Sequence, residues 1–134
     1  MFLKYNIPAF IWAVIILIIM AFPGDKLPEL SFWQFIPFFD KWVHFGLFFI
    51  FSGLLGFGFI KQTSFSKLNS NAILSVFAIS AIYGGATELM QNFVSSRTAD
   101  YIDFVSDVAG SLIGAIFMKI LLEKFKNKKL QRTS

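Results

Sequence analysis

The 134-residue chain contains no cysteine and only one histidine, His44. The missing cysteine excludes a disulfide, a thiolate nucleophile and a cysteine-ligated metal site. A single histidine also excludes a zinc site built from several histidines. Charged side chains make up only 15% of the residues, against about 25% in a soluble domain. The chain therefore lacks the polar surface that a water-soluble globule needs.

The sequence has few charged residues and several long apolar runs. Hydrophobic residues make up 56% of the chain, and roughly 20 helical residues are enough to cross a bilayer once. We expect an all-α, four-helix transmembrane bundle that forms one membrane domain over residues 1–134. The first run resembles a signal peptide, but no A-x-A-like site follows it, so we expect a retained helix. The expected spans cover residues 7–22, 41–60, 72–94 and 102–122.

The segments between and after these spans carry further signals. Residues 23–39 hold three prolines and several aromatic side chains, which favour a loop at the membrane interface with a short piece along its surface. Glycines recur in the second span, and small residues allow helices in lipid to approach closely. Residues 123–134 form a basic tail, which we expect to be frayed.

The distribution of lysine and arginine predicts the orientation. Nine of the twelve basic residues fall on one side of the expected spans, and that side is cytoplasmic by the positive-inside rule. An even number of spans then places both termini in the cytoplasm. We interpret the basic tail as a topology signal that also attracts anionic lipid, and we expect no nucleic-acid binding. The nine residues are Lys4, Lys61, Lys67, Lys119, Lys124, Lys126, Lys128, Lys129 and Arg132.

Polar residues from three separate segments are expected at the outer level of the membrane. Helical spacing places Asp40 with His44 on one face, and Asp103 with Asp107 on another. Glu88 and Asp107 lie inside their spans, where a carboxylate facing lipid is costly, so both should point into the bundle. The sequence thus predicts a polar pocket that opens to the outer leaflet. Its members are Asp40, Lys41, His44, Glu88, Gln91, Arg97, Asp100, Asp103 and Asp107.

At these residues the chain resembles the VanZ-like family of bacterial membrane proteins. One matching stretch is Asp40-Lys41-x-x-His44-Phe45, and a second is Tyr83-Gly84-x-x-x-Glu88-x-x-Gln91. The second stretch continues as Arg97-x-x-Asp100-x-x-Asp103-x-x-x-Asp107-x-x-Gly110-x-x-x-Gly114. The resemblance covers residues 39–117. Family members usually have asparagine where this chain has Asp107.

The resemblance implies a role in the bacterial cell envelope, from the cytoplasmic membrane, with a possible contribution to glycopeptide resistance of the teicoplanin type. It implies no settled reaction. The expected partners are membrane lipids, through a lipid-linked or anionic headgroup, and no cofactor or metal is expected. Candidate proton donors and acceptors are Glu88, His44, Asp103 and Asp107. Candidate binding residues are Arg97, Lys41, Asp40, Gln91 and Asp100.

Three alternatives remain open at this point. The polar residues can form a structural ion-pair network that pins the helix ends. The chain can be a small four-helix exporter, although transporters place their sites near the membrane midplane and these acidic groups gather at one face. It can also be a non-catalytic scaffold that acts through a partner. Variants of the predicted pocket that keep activity would favour the scaffold.

Overall fold

The structure, a computed structural model, describes residues 1–21, 36–94 and 100–133. No strand occurs within these ranges. Four of the described helices are long and apolar enough to cross a membrane, which confirms the expected multi-pass helical architecture. The membrane side on which the termini lie stays a prediction. The helices are α1 (Phe2–Ala21), α2 (Phe39–Lys61), α3 (Ser66–Ser70), α4 (Ala72–Val94) and α5 (Tyr101–Thr133).

Helix α5 extends well beyond the apolar span that the sequence predicts. The expected span ends at residue 122, whereas the helix continues to Thr133. Residues 123–133 contain neither glycine nor proline and consist mainly of good helix formers. The expectation of a frayed tail was therefore wrong. Most of the surface piece expected within 23–39 lies outside the described residues.

Helix α2 lies at the centre of the bundle and contacts α1, α4 and α5, with its largest interface against α5. Two glycines of α5 permit this close approach. A Cβ atom added to Gly110 would collide with the backbone carbonyl of Phe45, and one added to Gly114 with that of Phe49. Glycines four residues apart commonly bring helix backbones together in lipid. The α2–α5 contact therefore depends on this pair.

Two hydrogen bonds donated by aromatic side chains attach helix α1 to the bundle. The Trp12 indole Nε1–H donates to the Leu47 carbonyl of α2 at 2.9 Å. The Tyr83 hydroxyl of α4 donates to the Ala13 carbonyl at 2.6 Å. Each group meets its hydrogen-bonding requirement inside the bundle, which matters where no water is present. These bonds hold α1 against α2 and α4.

The bundle has two chemically different ends. At one end the Met1 amino group donates to Ser64 Oγ at 3.3 Å, so the N-terminus lies beside residues 62–71. The second half of α5 reaches the same end, where Lys126 and Asn69 line one cavity. We call this the loop end. The opposite end, where α2 and α5 begin and α4 finishes, is called the polar end.

Candidate functional site

The face of α5 that carries the acidic residues is the same face that packs on α2. Asp103, Asp107, Gly110 and Gly114 follow a four–three–four spacing, which keeps them on one side of a helix. The glycines fix that side against α2. The two carboxylates are therefore turned inward, and both are buried. Packing of the glycine pair thus positions the acidic groups.

Helices α2 and α4 supply the remaining members. Lys41 and His44 lie in the first two turns of α2, and Glu88 lies six residues before the end of α4. At 1.5 Å per residue, Glu88 is roughly 9 Å inside that end. A Cβ atom added to Gly84 would lie 3.1 Å from Asp107 Cβ, so this glycine leaves room for the aspartate. The structure thereby brings three helices together around buried polar groups.

Lys41 is surrounded by carboxylate groups at the more exposed part of the site. Its Nζ donates to Asp40 Oδ2 and Asp100 Oδ2 at 2.7 Å each, and it lies 2.7 Å from Asp103 Oδ1. The Lys41 side chain is 17% exposed, whereas those of Asp40 and Asp100 are 45% and 35% exposed. These three residues form what we call the rim. Because three carboxylates surround its ammonium group, Lys41 joins α2 to the start of α5.

Asp100 connects the rim to both helices beneath it. Its Oδ1 accepts the backbone N–H of Ile102 at 2.9 Å, which is the bond of a helix N-cap. Its own backbone N–H donates to Glu88 Oε2 at 3.2 Å. The hydrogen bond from Lys41 lowers the pKa of the Asp100 carboxyl below its ordinary value. Asp100 is therefore an anion that starts α5 and orients Glu88.

Beneath the rim lies a buried layer of four side chains, His44, Glu88, Asp103 and Asp107, each at most 8% exposed. His44 Nδ1 lies 3.0 Å from Asp107 Oδ1 and 3.6 Å from Glu88 Oε1. His44 Nε2 lies 4.0 Å from Asp103 Oδ2. A carboxylate oxygen accepts, so we assign the proton to Nδ1, which donates to Asp107. This leaves the lone pair of Nε2 on the side of Asp103.

The buried layer contains more acceptors than the described residues satisfy. Glu88 Oε1 and Asp107 Oδ2 are buried, and neither has a hydrogen-bond partner among the described residues. Rim and layer together hold five carboxyl groups beside one lysine and one histidine. Buried carboxylates in a membrane protein normally face partners that offset their charge. This polar cluster of seven residues therefore has unused capacity for positive charge or for hydrogen-bond donors.

Seven of the nine residues predicted from the sequence meet in the polar cluster. Gln91 is also buried, and its Nε2 lies 3.1 Å from Met20 Sδ of α1. Arg97 lies outside the described residues. The functional role of each residue stays a prediction. The seven are Asp40, Lys41, His44, Glu88, Asp100, Asp103 and Asp107.

Two features of the site were not predicted from the sequence. One is the N-cap role of Asp100, which an aspartate just before an apolar helix could have indicated. The other is a compact set of possible metal ligands. One ligand atom from each of His44, Glu88 and Asp103 lies within 4.8 Å of the other two. No spacing rule links these residues, because they belong to three different helices.

A cavity at the loop end has a different character. It measures about 760 Å³ and is lined by Lys61, Lys119 and Lys126 together with apolar side chains of α4 and α5. None of the polar cluster contributes to its lining. Among the described residues of the polar cluster, Asp40 and Asp100 are the most exposed.

Comparisons with known proteins leave the site to be judged on its own chemistry. No protein-family model, no curated protein and no solved structure matches this chain.

Proposed function

We propose that this chain is a VanZ-like integral membrane protein of the bacterial cell envelope, located in the cytoplasmic membrane. Its polar end faces the outer leaflet, where the polar cluster engages a lipid-linked or anionic headgroup. Through that contact it contributes to glycopeptide resistance of the teicoplanin type. The observation that carries the proposal is the set of buried carboxylates on α4 and α5, of which Glu88 and Asp107 hold oxygens without a hydrogen-bond partner among the described residues.

The unsatisfied oxygens favour a binding site over a structural brace. A brace gains most when every charge is paired and every lone pair is used, because unpaired buried charge is destabilising. Lys41 meets that description, with three carboxylates at 2.7 Å. Glu88 and Asp107 do not, since each has a buried oxygen without a hydrogen-bond partner among residues 1–21, 36–94 and 100–133. Groups kept at such a cost are typical of functional sites.

The depth of the cluster favours headgroup recognition over transport. Glu88 lies roughly 9 Å inside the end of α4, and the rim above it is partly exposed. Transporter sites are found near the membrane midplane, reached alternately from both sides. A site near one end of the bundle is suited to a ligand that stays in one leaflet. The exporter alternative gains no support from this position.

The proposed roles divide among Arg97, the rim and the buried layer. Arg97 is the proposed phosphate ligand, because a guanidinium group binds two oxygens at once. Lys41 acts chiefly as a brace, since its ammonium group already contacts three carboxylates. His44 and Glu88 are the proposed sites of proton transfer, with Asp103 and Asp107 beside them. These roles require that the polar end be external.

Reporter fusions test the orientation. Fusions after Ser64 and after Ser134 should report the cytoplasm, and a fusion after Ser96 should report the outside, because basic residues concentrate at the loop end. A cytoplasmic signal at Ser96 would place the carboxylates at the inner face and overturn the proposal.

Native mass spectrometry of the purified full chain tests headgroup binding. The probes are a polyprenyl phosphate, phosphatidylglycerol and zwitterionic phosphatidylcholine. Because the lysine-lined cavity at the loop end can also hold anionic lipid, the double variant Lys119→Gln, Lys126→Gln serves as the matched control. We expect the control to retain an anionic lipid and Arg97→Lys to lose it. Loss in the control alone would assign lipid binding to the loop end and contradict the proposal.

A further inference from the structure

Three side chains in the buried layer have the arrangement of a metal-binding set. His44, Glu88 and Asp103 come from α2, α4 and α5, and each is buried. One potential ligand atom from each lies within 4.8 Å of the others. Ligand atoms around an ion with bonds of about 2.1 Å are roughly 3 to 3.5 Å apart. Small side-chain rotations are enough to close that difference.

A second observation points to a positively charged ligand. Glu88 Oε1 is buried in a side chain that is 6% exposed, and it has no hydrogen-bond partner among the described residues. Among the described residues, the basic atom within 4 Å of it is His44 Nδ1 at 3.6 Å, which is directed to Asp107. An anionic oxygen in this position needs a proton, a donor or a cation.

We infer that His44, Glu88 and Asp103 bind a divalent cation that accepts both imidazole nitrogen and carboxylate oxygen, of the class of Zn²⁺ or Mn²⁺. Zn²⁺ is commonly bound by histidine with aspartate or glutamate, and Mn²⁺ accepts carboxylates readily. Magnesium and calcium prefer oxygen ligands throughout, so the nitrogen of His44 argues for the transition-metal class. Three protein ligands leave coordination positions open for a further ligand.

Asp107 has the position of a supporting residue for this site. Histidines that bind metals usually donate their other ring N–H to a carboxylate or carbonyl, which fixes the ring and its tautomer. Here Nδ1 of His44 lies 3.0 Å from Asp107 Oδ1. That bond leaves Nε2 available, on the side where Asp103 Oδ2 lies at 4.0 Å. Asp107 therefore positions the ring without being one of the three ligands.

The cation also explains how an acidic site can bind an anionic headgroup. This part of the inference rests on the proposed function. Five carboxyl groups would repel a phosphate that approached them directly. A divalent ion offsets the charge of the two carboxylates that hold it and offers its open positions to phosphate oxygens. The buried layer then binds the ion, and the rim admits the headgroup.

Metal titration of the lipid-free protein tests the site alone. The full chain is purified in detergent, stripped with a chelator and titrated with Mn²⁺, and the free ion is followed by electron paramagnetic resonance. We expect one bound Mn²⁺ per chain, displaced by Zn²⁺. Glu88→Gln and Asp103→Asn should each weaken binding by tenfold or more, roughly the loss seen when even a supporting residue is removed. The exposed Glu123→Gln, at the loop end of α5, should match the wild type.

Circular dichroism and gel filtration in detergent show which variants keep the fold. The number of Mn²⁺ ions bound per wild-type chain is measured independently of the variants. The inference is overturned if the wild type binds neither Mn²⁺ nor Zn²⁺. It is overturned equally if folded Glu88→Gln and Asp103→Asn bind as the wild type does, or if Glu123→Gln loses as much affinity as they do.

A lipid experiment separates this inference from the proposed function. Polyprenyl phosphate retention is compared in the metal-loaded and the chelator-stripped protein. Retention only with metal supports both. Metal binding without lipid retention overturns the proposed headgroup and keeps the cation site, whereas equal retention in the stripped protein overturns the link between cation and headgroup.

Discussion

The charged side chains compared at the two ends of this bundle differ in exposure: those at the loop end are exposed, whereas Lys41 at the polar end is largely buried. At the loop end, Lys119 Nζ lies 3.9 Å from Glu123 Oε1, with the two side chains 48% and 62% exposed. At the polar end, Lys41 has three carboxylate oxygens at 2.7 Å and is 17% exposed. An exposed pair spaced by four helical residues contributes only about 0.3 to 0.5 kcal/mol. Lysines at the loop end can therefore direct topology at almost no cost to folding.

Buried charge at the polar end carries a cost that exposed charge avoids. The carboxyl groups of Glu88 and Asp107 are separated from water, and each has an oxygen without a hydrogen-bond partner in the part of the chain that the structure describes. Burial of such groups is destabilising unless a counter-charge is supplied. We propose that one end serves insertion and the other serves binding. Variants that act differently at the two ends test this division.

The largest expected difference is between two lysine substitutions. Lys41→Met removes the counter-charge of Asp40, Asp100 and Asp103, and we expect a loss of about 2 to 3 kcal/mol in unfolding free energy. The expected loss of unfolding free energy lies at or below the lower end of the range for breaking a fully buried ion pair. The reason is that Lys41 keeps some contact with water. Lys119→Met should change the free energy by less than about 0.5 kcal/mol. Detergent unfolding followed by circular dichroism measures both, and equal losses would remove the distinction between the ends.

The next expected effect concerns the glycine contact that aligns α5 with α2. In Gly110→Ala the new methyl group collides with the Phe45 backbone, so we expect a loss of about 1 to 3 kcal/mol. It should also move Asp107 away from His44 and weaken Mn²⁺ binding. Gly46→Ala is the matched control, because a Cβ there meets nothing within 4 Å. Thermal unfolding and Mn²⁺ titration measure the pair. An unchanged Gly110→Ala would show that the glycine contact does not position the site.

The smallest expected effect is a pH dependence at the rim. Because the hydrogen bond from Lys41 lowers the Asp100 pKa, its ionised form stabilises the folded state above the ordinary value near pH 4. That contribution is lost as the pH falls below this value through the lowered pKa. Asp100→Asn keeps a good N-cap but removes the charge. The melting temperature of the variant should be slightly lower than that of the wild type at neutral pH, and the difference should vanish in acid. A difference that persisted in acid would point to capping instead.

Much of the fold could be predicted because hydropathy along the chain determines where the membrane-spanning helices lie. The apolar run over residues 72–94 coincides with α4, Ala72–Val94, since the bilayer sets its length. The same signal misplaced the end of α5, because hydropathy marks where lipid ends and not where helical hydrogen bonding ends. Helix formers continue past that boundary to Thr133.

The site could be predicted in its membership but not in its pairing. Helical spacing was enough to expect that Asp103 and Asp107 share a face and that Glu88 turns inward. The bond between His44 and Asp107 depends on the rotation of α5 about its axis, which Gly110 and Gly114 determine. The threefold pairing of Lys41 likewise requires the relative heights of α2 and α5. Neither quantity can be obtained from residue spacing within one helix.

We propose that the buried layer beneath Lys41 is a binding site and not a brace, and Glu88→Gln separates these two possibilities. Glutamine can keep the bond from the Asp100 N–H, and its amide can donate to an acidic neighbour such as Asp107. We therefore predict that the melting temperature of the purified variant equals or exceeds that of the wild type, while Mn²⁺ and polyprenyl phosphate are no longer retained. A lower melting temperature with ligand retention intact in the folded fraction would show that Glu88 is a structural brace and not a binding residue.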